Sequence, residues 1–143
     1  VKAHLTDDLK QNGIIALREV EIRRSKGEGG RQGERTDIFV AGFVPLNEEH
    51  VRVTIEVKGC WHVDVNKAME TQLLNRYLNE NNCNHGIYLV GWFLCDQWDN
   101  GKKENRTSVQ NIEDARTKYD NQAKTLSMDG KTINAFVMNC ALP

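Results

Sequence analysis

The chain has no excess of charge of either sign: 19 lysines and arginines stand against 20 aspartates and glutamates, a formal net charge of −1. That balance excludes a protein that holds nucleic acid by bulk electrostatics, because phosphate contacts are made by clustered Lys and Arg. Any contact of that kind must be local. No apolar stretch reaches the roughly 20 residues that span a bilayer, and the N-terminus lacks the layout of a signal peptide. A soluble, cytoplasmic chain with no membrane partner is the expectation. The four cysteines, Cys60, Cys83, Cys95 and Cys140, lack the dense spacing of a secreted disulfide scaffold and read as reduced, buried thiols. Glycines 27, 29, 30 and 33 form neither a GxGxxG series nor a P-loop, which argues against nucleotide binding. There is no internal repeat.

What is present suffices for one real core. A length of 143 residues, 39% hydrophobic and 27% charged, fits one domain over residues 1–143. The chain starts at Val1 and stops at Pro143 directly after an apolar run, which suggests a domain cut from a longer protein, or a processed one, with the parent's other domains as partners.

Residues 2–11 read as a short helix stopped by Asn12-Gly13. From Ile14 to Arg24 the pattern is strand-like, with Val20 and Ile22 on one face and Glu19 and Glu21 on the other. SKGEGGRQGE, with four glycines and no large apolar residue, reads as a hairpin tip. Around it cluster Arg23, Arg24, Lys26, Arg31 and Arg35, candidate contacts to a phosphate backbone that Glu28 and Glu34 dilute. RTDIFVAGF and VRVTIEVKG continue as strands, the latter with Val53, Ile55 and Val57 on one face and Thr54, Glu56 and Lys58 on the other. Val65, Met69, Leu73 and Tyr77 predict a helix over 65–78. HGIYLVGWFL predicts a central strand covered on both faces, and DQWDNGKKENR an exposed connection. Ile112, Ala115, Tyr119, Ala123 and Leu126 predict a second helix, ending at Asp129-Gly130 before the strand TINAFVMNCAL. This order predicts a mixed sheet with helices packed on it.

Two adjacent strands each bring acid to one face. If RTDIFV and VTIEVKG pair antiparallel, Asp37 and Glu56 become cross-strand neighbours roughly 5 Å apart, a separation suited to one shared magnesium ion, which prefers a few carboxylate oxygens. Lys58, two residues after Glu56, shares that face, where its ammonium could orient the attacking water or neutralise charge on a phosphate. Acid-x-Lys also occurs at Asp8-Leu9-Lys10 and Asp129-Gly130-Lys131, but the first lies in a predicted helix, where i and i+2 do not share a face, and the second is a turn. The bland reading of Glu56 and Lys58 is a solvated surface ion pair worth no more than about 1 kcal/mol. Cys60-Trp61-His62 and Cys83-Asn84-His85 lack finger spacing, and His62 reads most simply as a capping or surface residue.

GERTDIFV, followed by VTIEVKG and VNKAMETQLLNRYL, resembles the PD-(D/E)xK nuclease superfamily over about Arg18 to Phe93. The resemblance implies an α/β, restriction-endonuclease-like mixed β-sheet core flanked by helices, in the order α-β-β-β-α-β with a further α-β. It implies magnesium-dependent cleavage of DNA, with manganese able to substitute. In that pattern Asp37, Glu56 and the backbone carbonyl of Val57 hold the metal, and Lys58 assists water attack. Thr36 stands where the family's naming proline would be. Relatives often add an acid from the first helix or strand and a glutamine from the helix after the lysine. Glu19, with Glu21 as its alternative, and Gln72 occupy those places. The Gln72 to Tyr77 spacing is one residue longer than in the exonuclease branch. TQLLNRYL with HGIYLVGWF also looks like nuclease domains attached to large bacterial proteins of anti-phage defence, which implies an effector switched on by assembly, as a homo-oligomer. The alternatives are an RNase or branched-DNA resolvase on the same fold, or a catalytically silent interaction module.

Overall fold

The structure is a computed structural model that describes residues 14–21, 35–44, 49–79, 82–95 and 105–141, with side-chain burial described within these from residue 38 to 42 and from 51 onward. The expected helix over 2–11, the glycine-rich tip with Arg23, Arg24, Lys26 and Arg31, and residues 96–104 of the expected connection, Trp98 among them, lie outside the described residues.

Strand-forming runs become strands β1 (Ile14–Glu21), β2 (Arg35–Val44) and β3 (Glu49–Gly59), and the chain continues through α1 (Met69–Leu78), β4 (His85–Trp92), α2 (Ile112–Leu126) and β5 (Thr132–Asn139). The five strands form one sheet in sequence order. β1, β2 and β3 pair antiparallel, whereas β3–β4 and β4–β5 are parallel. A parallel neighbour needs a crossover, and α1 and α2 supply the two crossovers. The fold is therefore mixed α/β. No helix among the described residues is long and apolar enough to cross a membrane.

Both helices contribute to one core. Met69 and Leu73 from α1 and Ala115, Tyr119 and Ala123 from α2 pack with Tyr88, Val90, Ile133 and Val137 of the sheet. Burying each Leu, Met or Val in this way contributes roughly 1.5–3 kcal/mol. α2 starts where Asn111 accepts a hydrogen bond from the Asp114 backbone N–H at 2.8 Å and donates one back to the Asp114 carboxylate at 2.7 Å, a reciprocal cap with acid in the first turn. It stops at the Asp129-Gly130 turn, where both residues have positive φ, 54° and 76°.

Two sequence expectations need correction. The helix expected over 65–78 begins at Met69, because residues 63–67 form successive turns. α1 is also wider than an α-helix, closing with an Asn79 N–H to Leu74 C=O bond of five-residue span. The strict four-residue repeat Val65, Met69, Leu73, Tyr77 suits that geometry: more residues per turn than 3.6 leave a four-residue repeat with less drift around the axis. β4 is not evenly covered on both faces. Gly86, Tyr88, Val90 and Trp92 are buried, while Ile87 and Leu89 are only half-buried. The outer face carries a groove of about 420 Å³ lined by Ile38, Ile55, Ile87, Leu89, Phe136 and Met138 among others.

Candidate active site

On β3 the polar face points inward. Thr54 and Glu56 are buried on the side that α1 packs against, whereas Val57, on the apolar face, is exposed. Glu56 is 2% accessible, Lys58 is 11% accessible, and the Lys58 ammonium donates directly to Glu56 Oε1. The solvated surface pair is thereby overturned. A buried ion pair is held by its partners, and removing one partner leaves a charge uncompensated. Thr54, one step along the same face, donates to Cys83 Sγ at 3.7 Å.

Strand register sets the other acids. Ile38 pairs with Ile55, so Asp37 and Glu56 are the next positions on their strands. Arg18 pairs with Ile38 and Val20 with Thr36, bracketing Glu19 against Asp37. Glu56 is in turn opposite Tyr88. The backbone thus lines up Glu19, Asp37, Glu56 and Tyr88 in one row across four strands. The side chains of Glu19, Asp37 and Arg35 lie outside the described residues. Glu21 pairs with Arg35, at the far end of β1. Gln72 is half-buried on α1 and makes no hydrogen bond to Glu56 or Lys58.

Among the described residues no group of three or more His, Cys, Asp or Glu side chains is placed to hold a metal. The set of oxygens that Glu56, Asp37 and the Val57 carbonyl would offer fits a hard cation such as magnesium in chemistry, and the described part of it is a buried carboxylate on the inward face. The Cys-His pairs offer no alternative. His62 Nδ1 accepts from the Asp64 N–H at 3.1 Å, a local turn bond. Cys83 Sγ donates to the Arg52 carbonyl at 3.2 Å. All four cysteines are free thiols, and burial pushes the Cys60 thiol up, away from the reactive thiolate.

Tyr88 braces the site from below. Its hydroxyl donates to the Val65 carbonyl at 2.6 Å, and its ring meets Tyr119 edge to face at 5.8 Å. Burial first, then the neighbouring Tyr119 and the Glu56 and Asp64 charges, hold its phenol protonated well above the ordinary tyrosine range. The turn over 60–68 is therefore tied to the residue opposite Glu56. Where β3 and β4 run out, Gly59 and Gly91 are cross-strand partners. A Cβ at Gly59 would lie 2.6 Å from the Trp61 ring, and one at Gly91 would lie 2.6 Å from the Phe93 ring. Those two rings meet edge to face at 4.8 Å.

Sequence reading missed one residue here altogether. Asn66 donates to the Arg106 carbonyl at 2.6 Å and accepts from Lys118 at 2.6 Å and from the Tyr119 hydroxyl at 3.1 Å. Its own carbonyl accepts from Gln122 at 3.1 Å. Its partners lie 40 to 56 residues away in sequence, so no local pattern signals it. No family model matches the chain, and neither a curated protein nor a solved structure does.

Proposed function

We propose that the chain is a magnesium-dependent nuclease with a restriction-endonuclease-like core, cleaving phosphodiester bonds of DNA at Asp37, Glu56 and Lys58. The observation that carries this reading is the burial of Glu56 against Lys58 on the inward face of β3. Burying a charged pair is costly, and such groups gather where a site needs them. The strand register, with Asp37 next to Glu56 and Glu19 beyond it, supports the same reading. Manganese should substitute for magnesium.

When bound, the metal would supply Lewis-acid polarisation of the phosphate. The chain's own contribution is twofold. The Glu56 and Asp37 carboxylates fix the anionic end of the site. Lys58 brings an ammonium whose three donors can swing from Glu56 to a phosphate oxygen or to the attacking water. Exclusion of water by the packed helices strengthens each of these contacts. With a net charge of −1, affinity for duplex would come in part from other domains of the parent protein or from assembly into a homo-oligomer, as suits a cytoplasmic defence effector.

The test is cleavage of supercoiled plasmid with magnesium, manganese or chelator, beside Glu56→Gln and Lys58→Ala. Nicked or linear product only with divalent metal, reduced on the order of 10²-fold or more in either variant, is the expected result. Cleavage that persists in chelator, or variants as active as the parent, would overturn the reading. Cleavage of RNA or of branched DNA in preference to plasmid would move the substrate while keeping the site.

A further inference from the structure

The segment 105–111 is tied down on nearly every side except one. The Arg106 N–H donates to the Cys60 carbonyl at 2.8 Å, and the Arg106 carbonyl accepts from Asn66 at 2.6 Å. Either side of it, the chain turns inward. Asn105 donates to the Val109 carbonyl at 2.6 Å and accepts from the Thr107 hydroxyl at 2.6 Å and the Thr107 N–H at 3.0 Å. Thr107 is fully buried, and Lys118 donates to its carbonyl. Ser108 is held at φ 65°, a left-handed conformation that non-glycine residues rarely adopt. Backbone strain of this kind persists only where surrounding bonds over-determine it, and it clusters at functional positions.

Between two inward-facing neighbours, Arg106 is thrown outward. Its side chain is exposed and makes no ion pair with any described residue. Its backbone is fixed at Cys60, the first residue past the end of β3 and two residues after Lys58. A guanidinium presents a rigid fork of donors suited to phosphate oxygens, and here its backbone is pre-set by bonds it need not form on binding.

We propose that Arg106 is a phosphate-binding residue of the Glu56–Lys58 site, contacting the DNA backbone beside the scissile phosphate. The proposal rests on the nuclease reading for its substrate but makes a separate prediction. Binding of a fluorescein-labelled DNA duplex is measured by anisotropy across a salt series, in magnesium, in a Glu56→Gln background that does not cut. Adding Arg106→Ala should weaken binding roughly fivefold for any duplex sequence and make the slope of log K against log salt shallower by about one. Lys124→Ala, which removes a cation already paired with Asp120 on α2, should leave both unchanged. In the otherwise wild-type chain, Arg106→Ala should raise KM for plasmid while kcat stays near wild type.

An unchanged slope with affinity within about twofold, or an equal loss in Lys124→Ala, overturns the assignment, as does the absence of any duplex binding by the parent. The two readings fail separately. Plasmid cleavage by wild type with no effect of Arg106→Ala sinks this contact and keeps the nuclease. A lowered salt slope in a chain that cuts nothing keeps the contact and sinks the nuclease.

Discussion

On the proposed reading, Lys58 serves chemistry and folding together. Glu56 is nearly inaccessible and takes the Lys58 ammonium, so Lys58→Met should destabilise the chain by about 3–5 kcal/mol, the usual result of stranding a buried charge. Glu56→Gln combined with Lys58→Met should recover most of that loss without restoring cleavage. Urea denaturation of the three proteins checks this, and a double variant no more stable than Lys58→Met would rule out the coupling. At this scale the sequence was informative about type and face: alternation along VTIEVKG puts Glu56 and Lys58 on one side. It was silent on which side is inward, because the opposite face, with Val53, Ile55 and Val57, looks the better core. The inversion arises because α1 covers the polar side of β3, and crossover geometry is not written in the strand's own residues.

At the scale of elements, the strands and α2 were legible because alternation, caps and turn residues are local signals. The start of α1 was not, since Val65 sits at helical spacing yet belongs to the turns over 63–67, held there by the Tyr88 hydroxyl on its carbonyl. The clamp between these turns, the 105–111 segment and α2 was also invisible, its partners being far apart in sequence. Asn66→Ala should therefore destabilise the chain by about 3 kcal/mol, because it strips the Arg106 carbonyl of its donor and the buried Tyr119 hydroxyl and the Lys118 ammonium of an acceptor. A change in the urea midpoint equivalent to less than about 1 kcal/mol would show that Asn66 is a bystander. In the sequence, Asp37 entered through an assumed antiparallel pairing and the family resemblance, and Glu19 through the resemblance alone; the register sets both in the row of Glu56.

The whole molecule carries a pH signature. Burial, before any neighbouring charge, pushes the phenols of Tyr88 and Tyr119 up from the ordinary tyrosine value. In the unfolded chain both ionise near about pH 10, whereas the folded chain keeps its protons to higher pH. Their contribution is fully present below that value and is lost as pH rises from it toward the folded values, because the unfolded state sheds protons first. Cys60, whose thiol burial also raises, begins a shallow fall in urea midpoint from about pH 8.5, and the two phenols steepen it beyond about pH 10, with Tyr119→Phe flattening the steeper part. A midpoint that stays level through about pH 11 would contradict the burial of both phenols.

The paired glycines at the ends of β3 and β4 have a consequence of another kind. Because the rings of Trp61 and Phe93 occupy the space where side chains at 59 and 91 would begin, each position is closed to any other residue unless its ring swings away. The indole of Trp61 consequently registers the condition of the strand end, three residues from Lys58. Trp61 therefore stands where sheet gives way to turn, and loosening of the turn over 60–68 should alter the indole's emission.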